Sequence, residues 1–170
     1  TIWNYSQATQ YEGKWDEITL QCRGLVTDEM GNIVARPFKK FFNIEEQKHT
    51  ITDEFEVCEK MDGSLGIAFY YDDKWIFASR GSFTSEQAIK GGEMFKDKFQ
   101  QSHFSKDSTY MFEIIYPENR IVVDYAGSER LVLLGRIGTN SGEEYSLDQF
   151  RKNGYDVVRK YNNIKNYKYL

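Results

Sequence analysis

The sequence is poor in cysteine, proline and histidine, with two of each among 170 residues. Two cysteines, Cys22 and Cys58, are too few for a disulfide framework. Their strand-like surroundings instead predict small buried residues, which suits a reducing cytosol. The histidines, His49 and His103, lie far from any paired-cysteine spacing. This spacing argues against a zinc site and predicts that both histidines lie on the surface.

Long apolar runs are also missing from the sequence. None approaches the roughly 20 residues that a membrane-spanning helix needs. The first five residues lack the basic region followed by an apolar stretch that marks a signal peptide. We therefore predict a cytoplasmic protein with no membrane partner. An initiating methionine is absent as well, so we expect a fragment or a processed product.

Positive charge is in slight deficit, with 22 Lys and Arg against 26 Asp and Glu and a formal net charge of −4. This balance argues against a dedicated nucleic-acid-binding module, which is usually basic. It is compatible with an enzyme that concentrates positive charge in one cleft. The basic residues within the motifs described below fit that pattern, because much of the acidic excess lies elsewhere, at 28–29, 45–46 and 143–144.

Hydrophobic residues make up 40% of the sequence and aromatic residues 16%, which is typical of a strand-rich globular domain. Periodicity and turn residues predict strands at 25–27, 33–35, 55–59, 65–71, 75–79, 110–116, 121–125 and 130–137. We expect one α+β domain built on antiparallel sheets with a few helices.

Two helices are predicted among these strands. The first covers 85–101, with Thr84 and Gln87 at capping-box spacing. Its apolar stripe is expected in the core and consists of Ala88, Met94, Phe95 and Phe99. The second covers 147–153, with Ser146 and Gln149 at the same spacing and Gly154 just past its end.

The most informative segment is Lys60-Met61-Asp62-Gly63-Ser64, which lies between two predicted strands. A lysine at a strand end beside a tight Asp-Gly turn presents a fixed amine to a pocket. Such an amine can attack a phosphate or a carbonyl group and form a covalent intermediate. The alternative is a hairpin turn that happens to carry a lysine, because Asp-Gly is a common turn pair.

Further segments carry a resemblance to a known family. The lysine segment resembles the nucleophile motif of covalent nucleotidyltransferases, which include ATP-dependent ligases and mRNA capping enzymes. Four other segments resemble elements of phage-type ATP-dependent RNA ligases of the tRNA-repair group, namely 22–25 (Cys-Arg-Gly-Leu), 36–43, 79–82 (Ser-Arg-Gly-Ser) and 112–122. The resemblance runs from about residue 5 to about residue 137. It implies a nucleotidyltransferase (ligase adenylylation) domain that holds a nucleotide between two sheets.

The resemblance also implies a reaction with ATP and Mg²⁺. The lysine attacks the α-phosphate of ATP, AMP passes to a 5′-phosphate RNA end, and a 3′-hydroxyl displaces AMP to seal the strand. The implied partner is RNA with these two ends, with tRNA among the candidates. Lys60 is then the nucleophile, and Arg23 and Lys40 hold the ATP phosphates. Surface salt bridges are the alternative role for such basic residues.

The remaining site residues follow from the same resemblance. Arg80 is placed near the ribose or a substrate phosphate. Glu113 accepts from the ribose hydroxyl or holds the metal through water, and Glu59 accepts from the adenine amino group. Asp62 lies near the amine or the metal, and Gly63 lets the backbone approach the nucleotide. An aromatic ring, at position 42 or 112, either stacks on adenine or packs in the core.

The chain departs from the family pattern after Ile137. It shows no Glu-Gly followed by apolar residues and no Lys-x-Lys strand, and it lacks the family's C-terminal RNA-reading domain. These motifs carry a metal-binding glutamate and lysines at the α-phosphate, so the activity of these 170 residues alone is left open. The alternatives are a truncated domain, a non-catalytic nucleotide- or RNA-binding relative, or a DNA ligase or capping-type enzyme. The elements at 22–24 and 40–43 disfavour the last.

Overall fold

The computed structural model describes residues 1–46 and 55–161, which form an α+β fold with antiparallel sheets and short helices, as predicted. In chain order the elements are β1 (Ile2–Asn4), α1 (Gln7–Glu12), α2 (Glu17–Gln21), β2 (Arg23–Thr27), β3 (Ile33–Ala35), β4 (Val57–Cys58), β5 (Ser64–Tyr71), β6 (Lys74–Ser79), α3 (Glu86–Lys98), β7 (Ser108–Ile115), β8 (Arg130–Gly138), α4 (Asp148–Lys152) and β9 (Lys160–Tyr161). Short 3₁₀ turns lie at Ile44–Glu46, Gln101–His103 and Pro117–Asn119.

Three sheets organise these elements. The largest has the strand order β6-β5-β7-β8, the second has the order β1-β2-β3, and β4 pairs with β9 in a two-stranded ribbon. In β5, alternate residues face opposite sides of the sheet. Ala68 packs with the aromatic core that includes Phe95, whereas Ile67 and Phe69 pack against Val26 on the small sheet. The central strands are therefore covered on both faces.

Helix α3 covers one face of the four-stranded sheet, and its predicted apolar stripe is buried as expected. Its N-cap is Ser85 rather than Thr84, because the Ser85 hydroxyl accepts from the Ala88 amide at 3.2 Å. The second predicted helix is present as the shorter α4. Gly154 follows it with φ of 81°, a left-handed conformation that glycine adopts without strain.

The two adjacent glycines in α3 have different roles and give a paired stability prediction. A Cβ on Gly91 would lie 2.4 Å from Cε1 of Phe77, whereas a Cβ on Gly92 would lie 3.5 Å from Cβ of Phe77. The Phe77 ring is confined by Phe95 and Phe112. We expect Gly91→Ala to destabilise the fold by about 1–3 kcal/mol through overpacking. Gly92→Ala should stabilise it by up to about 1 kcal/mol through helix propensity. Urea unfolding of both variants tests this, and equal effects would contradict it.

Several details differ from the sequence predictions. Residues 121–125 form an exposed loop rather than a strand, and the strand predicted at 55–59 contracts to Val57–Cys58. Strand β1 and helices α1 and α2 were not predicted. Cys58 is exposed and Cys22 is half-buried, so the expectation of two buried cysteines was wrong. His103 is exposed as predicted, while His49 lies outside the described residues. No helix in the described part of the chain is long and apolar enough to cross a membrane.

Candidate active site

The Lys60 segment connects two different sheets. Strand β4 before it pairs with β9, and strand β5 after it pairs with β6 and β7. The β4–β9 ladder continues to Glu59, whose amide donates to the carbonyl of Arg159 at 2.9 Å. The Asp62-Gly63 pair therefore closes no hairpin, and that alternative is wrong. The segment instead carries the exposed Lys60 across the gap between the two sheets.

A cleft of about 1030 Å³ lies at this gap. Its volume is just above the range found for small-molecule and cofactor sites, which is roughly 300–1,000 Å³. Six of the eight predicted site residues line it, namely Arg23, Glu59, Lys60, Gly63, Arg80 and Glu113. They come from β2, the β4–β5 connection, the end of β6 and β7. The tertiary fold thus collects residues that are up to 90 positions apart in the sequence.

The residues next to Lys60 fix its backbone. Met61 is buried in an apolar cluster with Ile115 and Val158. Gly63 lies against β7 so closely that a Cβ there would approach the Ile114 carbonyl oxygen to 2.5 Å. The Gly63 amide also acts to lower the pKa of the Glu113 carboxyl, because it favours the charged form. These contacts hold the segment after the lysine, and the bond from Glu59 to Arg159 holds it before the lysine, while the side chain stays exposed.

Arg23 provides the clearest sign of an anion site. Its side chain is half-buried, and Nη1 is buried without a hydrogen-bond partner among residues 1–46 and 55–161. Its guanidinium lies 5.0 Å from the centre of the Phe41 ring. Burial and the charge of Arg80 both lower the pKa of the Arg23 guanidinium. A buried donor without a partner is costly, so the site favours a ligand that accepts hydrogen bonds and carries negative charge.

Lys40 does not line the cleft. Its amine donates to the Phe41 carbonyl at 2.8 Å and lies 4.4 Å from the centre of the Phe42 ring. Phe42 packs edge-on against Trp15, and Phe112 is fully buried in the core. Phe112 therefore cannot stack on a nucleotide. The role of Lys40 at the ATP phosphates stays a prediction, and it would require the amine to leave the aromatic rings.

Asp62 also lies outside the lining of the cleft. Its carboxylate accepts hydrogen bonds from the Val122 and Val123 amides, both at 2.7 Å. Its backbone amide donates to the Tyr125 hydroxyl at 2.9 Å. The sequence predicted a position near the amine or the metal. The charge of Lys60 helps to lower the pKa of the Asp62 carboxyl, so the amine is within electrostatic range, while the hydrogen-bond partners of Asp62 belong to the loop after β7.

Among the described carboxylates, Glu113 is the one whose pKa is most perturbed by the fold. It projects from the central strand β7, and burial raises the pKa of its carboxyl to about 7. Lys60, the Gly63 amide and Arg23 act in the opposite direction by favouring the charged form. Burial outweighs these three influences. Carboxyl groups with strongly perturbed pKa values in a cleft are typical of functional sites.

Comparison with known proteins identifies the family. A family model described as RNA ligase matches residues 21–168, which is most of the chain and includes all eight predicted site residues. The chain belongs to the phage-type RNA ligase family. The predicted resemblance is therefore confirmed, and the match favours it over the DNA ligase and capping-enzyme alternatives.

Three relatives illustrate the family. The chain is 27% identical over 157 residues to a putative bifunctional polynucleotide kinase/RNA ligase of Autographa californica nuclear polyhedrosis virus, covering 75% of this chain and 23% of the relative. It is 28% identical over 140 residues to a putative RNA ligase of Thermovibrio ammonificans, covering 76% and 36%. It is 27% identical over 169 residues to an RNA ligase of Rhodothermus phage RM378, covering 72% and 38%. The chain thus spans less than two fifths of these relatives.

Several cleft residues in this family member were not predicted from the sequence. Phe41 lies within the 36–43 segment and Gln87 lies shortly after the 79–82 segment, so the position of these motifs was the available signal. Leu134, Glu144 and Val158 lie after the 112–122 segment, in a part of the chain where no motif was found. Packing around Met61 brings Leu134 of β8 and Val158 into the site. Glu144 lies in the connection after β8, where it pairs with Ile137.

The raised pKa of Glu113 predicts a pH-dependent stability difference. Because the folded pKa of about 7 exceeds the ordinary 4.5, this group stabilises the fold below pH 4.5 relative to higher pH. That contribution is lost as the pH rises through 7. Glu113→Gln removes the ionisable group. We therefore expect its free energy of unfolding to be about 3 kcal/mol higher than that of wild type at pH 8, with little difference at pH 4.5. Urea unfolding at both pH values measures this.

The matched control for Glu113→Gln is Glu118→Gln, because Glu118 is an exposed carboxylate on the Pro117–Asn119 turn. We expect it to change stability by less than about 0.5 kcal/mol at either pH. A Glu113→Gln protein that is less stable than wild type at pH 8 would contradict the assigned burial effect.

Proposed function

We propose that this chain carries the adenylylation site of an ATP-dependent RNA ligase, with Lys60 as the nucleophile. The observation that carries the proposal is the cleft itself. An exposed lysine on a fixed backbone faces the same cavity as Arg23, whose buried Nη1 has no partner in the described part of the chain, and Arg80. This combination suits a lysine attack on a polyphosphate.

The first step joins Lys60 to AMP. The neutral amine of Lys60 donates its electron pair to the α-phosphorus of ATP, and a P–N bond forms. The bond from the α-phosphorus to the bridging oxygen breaks, and pyrophosphate leaves with that electron pair. The nitrogen releases a proton to solvent, which leaves a phosphoramidate.

Arg23 and Arg80 are the groups suited to the phosphates. Arginine binds phosphate oxygens through a planar fork of N–H donors. The charge of Arg80 lowers the pKa of Arg23, so the two guanidinium groups lie within electrostatic range of each other. An anionic phosphate near both would relieve that repulsion and satisfy Nη1 of Arg23. The pair would then stabilise the charge that develops on the leaving pyrophosphate.

The site suits a Mg²⁺ ion that is held by few protein ligands together with water and the ATP phosphates. Among the described residues no three His, Cys, Asp or Glu side chains are grouped to hold a metal ion. Mg²⁺ commonly keeps several waters and binds through one or two carboxylates together with substrate phosphates. Four of the described glutamates line the cleft, and the family resemblance gives the metal role to Glu113, which would act through water. When bound, the ion would neutralise charge on the transferring phosphoryl group.

The later steps extend the proposal to RNA. AMP would pass from Lys60 to a 5′-phosphate RNA end, and a 3′-hydroxyl would displace AMP to join the strands. RNA with these two ends, including broken tRNA, is the proposed substrate of the whole protein. Support comes from membership of the RNA ligase family.

Labelling with ATP tests the first step directly. We expect transfer of label from ATP labelled at the α-phosphate and none from ATP labelled at the γ-phosphate. Peptide mapping by mass spectrometry should place AMP on Lys60. Label from the γ-phosphate, or on another residue, would contradict the proposal. Binding of ATP without covalent transfer would instead identify a non-catalytic nucleotide-binding relative.

A further inference from the structure

The loop at residues 119–125 is held in an unusual way. Its central residues are apolar and exposed, with relative exposures of 63% for Ile121, 73% for Val122 and 44% for Val123. Burial of these side chains therefore contributes little to fixing the loop. Such a loop would be mobile unless polar contacts fix its backbone.

Asp62 supplies those contacts from the nucleophile segment. A single carboxylate oxygen, Oδ2, accepts from both the Val122 and Val123 amides at 2.7 Å. These are short, charge-assisted bonds of the stronger class. The two amides also lower the pKa of the Asp62 carboxyl, which keeps the acceptor ionised. In return, the Asp62 amide donates to the Tyr125 hydroxyl at 2.9 Å.

A second tie lies two residues further along the same segment. The Ser64 hydroxyl donates to Oδ1 of Asn119 at 3.0 Å, and the Asn119 side-chain amide donates to the Ile114 carbonyl at 2.9 Å. Ser64 is therefore joined to the start of the 119–125 loop, and Asp62 to its centre and its end. Lys60 precedes this doubly tied stretch by two residues.

We propose that Asp62 is a positioning residue, which aims the Lys60 amine by fastening its segment to the 119–125 loop, and that it does not bind the nucleotide or its metal. The observations are the two short bonds from the loop amides and the placement of Asp62 outside the cleft lining. The proposal rests on the proposed adenylylation by Lys60. In this proposal, the aspartate of the lysine motif holds the nucleophile in position.

The test compares Asp62→Ala with a matched control, Asp28→Ala. Asp28 is also a loop carboxylate that accepts two backbone hydrogen bonds, from Met30 at 2.9 Å and Asn32 at 2.8 Å, but it lies in the β2–β3 connection. We expect Asp62→Ala to lower the maximal rate of label transfer from α-labelled ATP by about 10- to 100-fold, as expected for a misaligned nucleophile. The ATP and Mg²⁺ concentrations for half-maximal rate should change by less than about threefold.

Two further results complete the kinetic test. Asp28→Ala should leave the rate within about twofold of wild type, because its loop does not touch the cleft. Asp62→Asn retains one acceptor oxygen and should recover part of the lost rate. A mainly raised ATP or Mg²⁺ requirement in Asp62→Ala, with the maximal rate preserved, would make Asp62 a ligand and overturn the proposal.

Hydrogen exchange separates this proposal from the function on which it rests. In Asp62→Ala we expect faster exchange both at the Val122 and Val123 amides and in the 60–64 segment, whereas Asp28→Ala should affect only its own loop. Unchanged exchange in the 60–64 segment would overturn the proposal. If wild type takes up no label at all, the adenylylation proposal fails. Hydrogen exchange would still show whether Asp62 couples the 60–64 segment to the 119–125 loop.

Discussion

Replacement of Lys60 by alanine should reduce covalent labelling from α-labelled ATP by at least about 1,000-fold, because the nucleophile itself is removed. Lys60→Arg should be equally inactive, since a guanidinium stays protonated and cannot act as the attacking nitrogen. The exposed position of Lys60 predicts little effect on folding, so the thermal midpoint of both variants should stay close to that of wild type.

Lys74→Ala is the matched control for Lys60→Ala. Lys74 is an exposed lysine on the β5–β6 hairpin, outside the lining of the cleft. Its replacement should leave labelling unchanged. Label that persists in Lys60→Ala at the wild-type level would disprove the assignment of the nucleophile, whatever the result with Lys74→Ala.

Gly63→Ala should nearly abolish labelling and also destabilise the fold. The added Cβ would lie 2.5 Å from the Ile114 carbonyl oxygen and 3.2 Å from Cγ of Glu113. The Ile114 backbone belongs to the central strand β7 and cannot retreat without disturbing its pairing with β5 and β8. We expect a loss of about 1–3 kcal/mol in stability. Displacement of the lysine segment should lower the labelling rate by about 100-fold or more.

Gly81→Ala provides the contrast. Gly81 also lines the cleft, but no described atom lies within 4 Å of the position that its Cβ would take. Thermal unfolding and the labelling rate should both stay near the wild-type values. If Gly81→Ala and Gly63→Ala were equally impaired, close packing on β7 would not be the reason for glycine at position 63.

The close approach of Gly63 to β7 changes the interpretation of the motif glycine. The sequence predicted that Gly63 lets the backbone approach the nucleotide. The structure shows a further requirement, which is close contact with the backbone of β7. That contact depends on a strand about 50 residues later in the chain, so local sequence reasoning could not have found it.

Much of the fold followed from short-range patterns. Alternation and turn residues located six of the predicted strands, because a strand with one or both faces buried has a recognisable periodicity. The stripe of α3 predicted its buried face for the same reason. The strand predicted at 121–125 failed because β-propensity depends on the neighbouring strand. The amides of Val122 and Val123 bind the Asp62 carboxylate instead.

The sequence by itself determined the family and the residue types of the candidate site, since five ordered motifs identified Lys60 and its companions. Only the tertiary structure decided how these residues are arranged. It brings Arg23, Arg80 and Glu113 to the cleft that Lys60 faces, and it directs Lys40 and Asp62 to other partners. The physical reason is that sheet pairing between distant segments determines where each side chain lies, whereas a motif fixes only chemical type and order along the chain.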